Sequence, residues 1–156
     1  MGISWLMQIL GVDRQVLVSE TEAGFRQRLR LQKAAYLLSR MGVKPFSEFE
    51  FNIYLRGPYS PDLAKAYYSG ADEYEEPEIS QDKLELLKWF MSHEDRWLEI
   101  ASGILSIQER YRGIGRKGLL TLLRMSKPWI TENEFNSIFG ELKRKGLVER
   151  KQKLLP

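Results

Sequence analysis

Apolar positions recur along the chain at two periods, and the change of period marks its elements. Trp5, Leu6, Ile9 and Leu10 have helical spacing and are followed by Gly11, which predicts a short amphipathic helix that covers a core. Ser19-Glu20-Thr21-Glu22 has capping-box spacing, with Ser19 as cap, and predicts a helix to Met41 stopped by Gly42. On it Leu31, Ala34, Ala35, Leu38 and Met41 share one face. Phe25, Leu29 and Tyr36 lie on the adjoining flank, and Arg26, Arg28, Arg30 and Arg40 point outward. The period then falls to two. Phe49, Phe51, Ile53 and Leu55 alternate with Glu50, Asn52 and Tyr54, the pattern of a half-buried strand that Gly57-Pro58 should break. Ser60 is placed to cap the next helix and Pro61 to occupy its first position, where a missing N–H costs nothing.

That helix is predicted from Pro61 to about Tyr68, and a polar loop follows from Ser69 to Ile79. The loop holds Asp72, Glu73, Glu75, Glu76 and Glu78 without the fixed ligand positions of a calcium loop, so it reads as a solvated acidic segment. Ser80 caps a further helix with Leu84, Leu87 and Met91 in line and Leu86 and Phe90 beside them. Trp97, Leu98, Ile100, Ala101, Ile104, Leu105 and Ile107 then wrap nearly all the way round another. A helix apolar on all sides belongs in the middle of a bundle, so this one is expected to be central. Arg112-Gly113-Ile114-Gly115-Arg116-Lys117-Gly118 formally matches G-x-G-x-x-G. A dinucleotide loop must follow a strand, however, and this segment follows a helix, so it reads as a flexible basic connector. A short helix around Leu119–Arg124, Pro128, and a capping box at Thr131-Glu132-Asn133-Glu134 come next. The capped helix carries Phe135, Ile138, Phe139 and Leu142 on one face and stops at Gly146, and Leu147-Val148-Glu149-Arg150 starts a strand.

Arg28-Leu29-Arg30-Leu31-Gln32-Lys33-Ala34-Ala35-Tyr36 together with the Tyr54–Leu63 corner resembles the Panacea, or SocA-like, antitoxin family and its uncharacterised archaeal relatives. That family pairs an "LQK-hydrophobic-Y" helix with a "GP" corner. The likeness covers roughly residues 25–70, and the rest of the chain only in outline. Members often carry an aromatic residue and Gly directly before Pro; here Arg56 takes the aromatic position, while Gly57 and Pro58 are kept. The resemblance implies a non-catalytic interaction module of toxin–antitoxin type, with a protein partner, a toxin in that setting. The partner-binding candidates are Lys33, Tyr36, Tyr54, Arg56, Gly57, Pro58, Tyr59 and Ser60. Tyr54, Tyr59, Tyr67, Tyr68 and Tyr74 crowd around the corner, either as an interface or as the edge of a core. Arg56 faces a partner or pairs with Glu50 or Asp62.

Charge divides the chain unevenly. Residues 1–109 hold twelve Lys/Arg against seventeen Asp/Glu, a net of −5, and residues 110–156 hold twelve against four, a net of +8, which sum to the formal +3. Such asymmetry suits either a polyanion partner for the basic end or mutual attraction of the two parts, within one chain or across a homodimer. The order helix, turn, capped helix, then "LKRKGLVER" is similar to a winged-helix unit with a shortened wing. In that reading Arg116, Lys117, Lys143, Arg144, Lys145, Arg150, Lys151 and Lys153 neutralise the phosphates of double-stranded DNA. Glu132, Asn133, Glu134 and Asn136 stand where base contacts are normally made, and the two acids oppose that role. The same topology serves a protein-docking or dimerisation module, and the SocA-like archaeal relatives share a helical tail ending in "L-x-x-x-G-L-[VI]".

The chain has no cysteine, which removes disulfides and thiolate metal sites, and its one histidine, His93, is a poor metal site alone. No nucleophile elbow, P-loop or zinc-protease pattern is present, so no catalytic residue, metal or cofactor is expected. The N-terminal residues lack a signal-peptide pattern and no long apolar run could span a membrane, so the expectation is a soluble cytoplasmic protein. With 43% hydrophobic content the expected fold is mainly α (α+β). It is a helical bundle with a small strand or hairpin, residues 1–112, joined to a winged-helix-like segment, residues 113–156, either as a separate body or packed with the first as one unit. The expected function is a regulatory, antitoxin-like interaction protein, with a DNA-binding transcriptional regulator as the alternative.

Overall fold

The longest apolar stripe of the N-terminal half becomes the axis of that half. The computed structural model describes residues 2–54, 57–70 and 75–148, with the side chains of Ile53 and Tyr54 outside that description. The fold is mainly helical. Compact units part at His93/Glu94: residues 2–54 and 58–93 form the first, and 94–148 belong to the second.

In the first unit α1 (Ile3–Leu10), α2 (Arg14–Leu17) and α5 (Gln81–Met91) all pack on α3 (Glu22–Arg40). The middle of α3 is buried without a break from Leu31 to Leu38, including the polar Gln32 and Lys33. Leu31, Leu37, Phe46, Leu87 and Phe90 are fully enclosed, and each such side chain contributes about 1.5–3 kcal/mol of transfer free energy. Gly11 ends α1 in a left-handed conformation, φ 69°, as its position predicts.

Two expectations are corrected here. The cap of α3 is Thr21, whose hydroxyl accepts from the Gly24 N–H at 3.1 Å, not Ser19. Ser19 is already occupied by the unforeseen α2, donating to the Val16 carbonyl at 2.7 Å. Nor does a continuous strand run from Phe49. Phe46–Glu48 forms a 3₁₀ turn, held by ring contacts of Phe46 with Trp5 (6.4 Å) and Phe49 (6.5 Å). Strand β1 is only Asn52–Tyr54, paired with β2 (Gly57–Tyr59) in a two-stranded sheet. Gly57 and Pro58 therefore belong to a second strand and do not simply interrupt the first. Gly57 has φ 106°, a backbone conformation that side chains other than glycine's resist. Helix α4 (Pro61–Ser69) and α5 begin at Ser60 and Ser80 as predicted, each hydroxyl accepting a backbone N–H three residues on.

The second unit comprises α6 (Asp95–Arg110), α7 (Arg116–Ser126) and α8 (Glu132–Arg144). Residues Ile100 to Ile107 of α6 are all buried, and α7 and α8 both pack on this helix, so it is central to its unit. That packing is why the compact units divide before α6, whereas the sequence places the boundary at 112/113. The capping box at Thr131 and Glu134 is complete. The basic connector is shorter than expected, since Arg116, Lys117 and Gly118 already lie in α7. Leu147 and Val148 are not in a strand, and the rest of the expected wing, from Glu149 to Lys153, lies outside the described residues.

Two glycines in helices make opposite predictions. A Cβ on Gly24 would stand 2.5 Å from the Val16 carbonyl oxygen and 2.6 Å from that of Ser19, backbone atoms that cannot turn aside. On Gly140 it would meet nothing nearer than the Arg144 guanidinium at 3.5 Å. Gly24→Ala is expected to destabilise by about 1–3 kcal/mol and Gly140→Ala to stabilise by about 0.5–1 kcal/mol. Urea melts of the two variants check this, and equal shifts would contradict the tight α2–α3 approach.

Candidate functional site

The corner between β2 and α4 is held by a side chain from α3. Gln32 is 1% exposed and uses both ends of its amide on Ser60. The Ser60 N–H donates to Gln32 Oε1 at 2.8 Å, and Gln32 Nε2 donates to the Ser60 carbonyl at 3.0 Å. This reproduces with one side chain the paired bonds that a neighbouring strand would make. The Ser60 hydroxyl meanwhile accepts from the Leu63 N–H at 3.2 Å and caps α4. Gln32 Nε2 also reaches the Tyr67 hydroxyl at 3.5 Å. Burial pushes that hydroxyl well above the usual tyrosine range, the Gln32 amide acts against the shift, and the Tyr59 hydroxyl adds to it. Tyr67 is therefore a neutral buried hydrogen-bonding group.

The predicted partner-binding residues divide by exposure. Lys33 and Tyr36 are buried, at 4% and 5%, with the Tyr36 ring edge-on to Phe51 at 5.5 Å. Gly57, Pro58 and Ser60 are buried as well. These five are interior, and Ser60 is the one of them that the Gln32 amide ties into the corner. Tyr59 is half-buried, while Arg56, Tyr74 and the side chain of Tyr54 lie outside the described residues. Among the described residues of this unit the exposed large aromatic groups are Tyr68 and Phe25. The Arg28 guanidinium lies 5.8 Å from the centre of the Tyr68 ring and donates to the Leu17 and Ser19 carbonyls, both at 2.7 Å. Phe25 precedes Arg28 by one helical turn on the same side of α3.

In the second unit Arg116, Lys117, Lys143, Arg144 and Lys145 are all exposed, while Arg150, Lys151 and Lys153 fall outside the described residues. The Arg116 guanidinium stacks on Phe139, 4.4 Å from the ring centre. Phe139 lies one turn before Lys143 on α8, so the start of α7 and the end of α8 place their cations side by side. The outer face of α8 runs from Glu132, Asn133, Asn136 and Ser137 to Lys143 and Arg144. Glu134, one of the two acids expected to oppose a phosphate surface, is turned away to Arg96. It accepts from Arg96 Nε at 2.5 Å and Nη2 at 2.9 Å. The same guanidinium stacks on Trp129 at 4.3 Å. Sequence reasoning missed Arg96 and Gln32. Gln32 did leave a signal, as a polar residue on the flank shared by Leu29 and Tyr36; Arg96 left none.

The Arg96 guanidinium holds the Glu134 carboxyl below its usual range, with the Thr131 N–H assisting. A lowered native value means that the ion pair contributes above the unfolded-state value, about 4.3, and fades as pH falls through the lower native one. Glu134→Gln keeps a capping-box acceptor and removes the charge. It is expected to be less stable than the parent at pH 7 and equally stable in strong acid, with 1 M salt narrowing the gap at neutrality. Thermal melts over pH 2–7 check this, and a gap that widened in acid would contradict it.

His93 does structural work: its Nδ1 donates to the Phe90 carbonyl at 3.0 Å, and its ring meets Trp89 edge-on at 4.8 Å. Among the described residues no three His, Cys, Asp or Glu side chains gather where they could share a metal ion. No helix among them is long and apolar enough to cross a membrane. Comparison with protein-family models, curated proteins and solved structures returned no match.

Proposed function

We propose that the protein is a non-catalytic, antitoxin-like regulatory protein whose second unit docks on duplex DNA through α7 and α8. The observation that carries this reading is the arrangement of its cations. Arg116 is stacked on Phe139, one turn before Lys143 on α8, and Lys117, Arg144 and Lys145 are exposed as well. A helix, a short connection and a capped helix with cations at one end match how such units straddle a phosphate backbone. The engagement of Glu134 by Arg96 removes one of the two like charges that would oppose phosphate. The test is fluorescence anisotropy of a labelled random-sequence duplex titrated with the full chain at several salt concentrations. Binding that weakens steeply with salt supports the reading, and absence of binding at low salt overturns it.

A protein contact on the first unit is the second reading, and it can hold together with the first. It is supported by exposed Tyr68 and Phe25 beside Arg28, residue types that dominate interface energetics. A toxin is the partner implied by the family likeness. Co-expression with the product of a neighbouring small open reading frame tests it. Co-purification that is lost in Tyr68→Ala supports the contact, and co-purification unaffected by Tyr68→Ala and Arg28→Ala places it elsewhere.

A further inference from the structure

The outer face of α8 carries residues that the fold does not explain. Asn133, Asn136, Ser137, Gly140, Lys143 and Arg144 recur at spacings of three and four and share one side of the helix, opposite the buried Phe135, Ile138, Phe139 and Leu142. Asn, Ser and Gly are poor helix formers, because they offer the backbone other partners or other conformations. Hydroxyls in other helices of this chain bond back to the preceding turn, as Ser102 does to the Leu98 carbonyl at 2.7 Å and Thr121 to that of Lys117 at 3.0 Å. The side chains of Asn133, Asn136 and Ser137 are exposed and make no hydrogen bond to any described residue. A Cβ at Gly140 would meet only the Arg144 guanidinium, at 3.5 Å, so packing does not require glycine there either. What glycine leaves is helix backbone open to close approach from outside.

This face is continuous with the cations that the duplex reading sets on phosphate. Lys143 stands seven residues beyond Asn136, about 10 Å along the helix axis, a separation that fits a major groove about 12 Å wide. Between Glu132 and Lys143 the face is uncharged and offers two amides, a hydroxyl and glycine backbone. A side-chain amide holds a donor and an acceptor side by side, the complement of adenine N7 and N6 in the major groove.

We propose that this face selects sequence, with Asn133 and Asn136 each bonded to the edge of an adenine on adjacent base pairs. The amide N–H donates to N7 and the amide oxygen accepts from the N6 amino group. Gly140 lets the groove come against the helix, and Lys143 and Arg144 hold the phosphates beside it. The inference rests on the duplex reading of the second unit and adds the bases that unit chooses.

Selection by the full chain from a duplex pool with a randomised centre tests it, followed by anisotropy titrations of the selected duplex. The expected result is enrichment of two adjacent A·T pairs. Replacing their adenines by 7-deazaadenine, which lacks the N7 acceptor, should weaken binding about tenfold or more. The double variant Asn133→Ala, Asn136→Ala should bind the selected duplex about tenfold or more weakly, no longer respond to 7-deazaadenine, and still bind the unselected pool. Gly140→Ala should melt a few degrees higher yet bind the selected duplex at least about fivefold more weakly, a pairing that a merely structural glycine would not give. Binding of the pool with no sequence enriched would overturn this inference and leave the duplex reading standing, whereas no duplex binding at low salt would overturn both. Enriched sites without adjacent A·T pairs, or affinity for the selected duplex undiminished in the double Asn variant or in Gly140→Ala, would also overturn it.

Discussion

Gln32→Leu is expected to destabilise the first unit by about 2–3 kcal/mol, a large part of the roughly 5–15 kcal/mol that holds a typical domain. The leucine fills nearly the same volume, so the loss is polar. The Ser60 carbonyl keeps a partner, since the Ala64 N–H also donates to it at 3.1 Å. The Ser60 N–H does not, because its acceptor is Gln32 Oε1 and Ser60 is fully buried. One buried, orphaned donor therefore accounts for most of the cost. Ser60→Ala separates the clamp from the cap: it removes the hydroxyl that accepts from Leu63 but keeps the backbone bonds, and should cost only about 1 kcal/mol. Urea unfolding of both variants gives the ordering. A Gln32→Leu variant as stable as the parent would show that the amide clamp does not hold the corner.

The same residue shows what was legible in the sequence. Elements whose signals are local were readable: the Ser60-Pro61 start of α4, the Ser80 cap of α5, the Thr131–Glu134 capping box and the all-round apolar run of α6. Each is decided by residues within one or two turns. Where two local patterns competed, pattern alone could not rank them. Ser19 and Glu22 have the better capping-box spacing, yet α2 engages Ser19 and leaves Thr21 to cap α3. The strand from Phe49 gives way to packing of Phe46 against Trp5, an interaction across 41 positions that outweighs the alternation of the segment. The candidate sites were legible as residue types and not as surfaces. Lys33, Tyr36, Gly57, Pro58 and Ser60 were singled out, yet all five are interior. Gln32, which ties α3 to that corner, acts on a partner 28 residues away, a separation that periodicity does not register. Of the basic groups singled out as phosphate contacts, Arg116, Lys117, Lys143, Arg144 and Lys145 are exposed, as most charged side chains are, whereas Lys33 and Lys127 are buried.

Reversing Lys143, Arg144 and Lys145 to Glu together is expected to weaken duplex binding by at least about 100-fold at moderate salt. It should also lower the salt slope by about 3, close to one for each phosphate that is no longer neutralised. The three side chains are exposed and contribute no core, so the fold should survive. Some stability will be lost, because Lys143 and Arg144 stand in the last turn of α8, where cations favour the helix dipole by about 0.3–1 kcal/mol each. The triple substitution to Gln separates the two effects: it removes the positive charges without opposing the dipole, and should keep most of the loss in binding with less of the loss in stability. Glu132→Gln then distinguishes how α8 lies on the duplex. If the start of the helix enters a groove, removing its remaining free carboxylate should tighten binding several-fold, since Glu134 is already engaged by Arg96. If only the Arg116–Lys143 end meets phosphate, Glu132→Gln should leave affinity unchanged, and the interaction would be a backbone anchor without sequence preference. Anisotropy titrations of the four proteins over a range of salt give both numbers. Duplex affinity undiminished in the triple Glu variant would remove α8 as the phosphate-binding element.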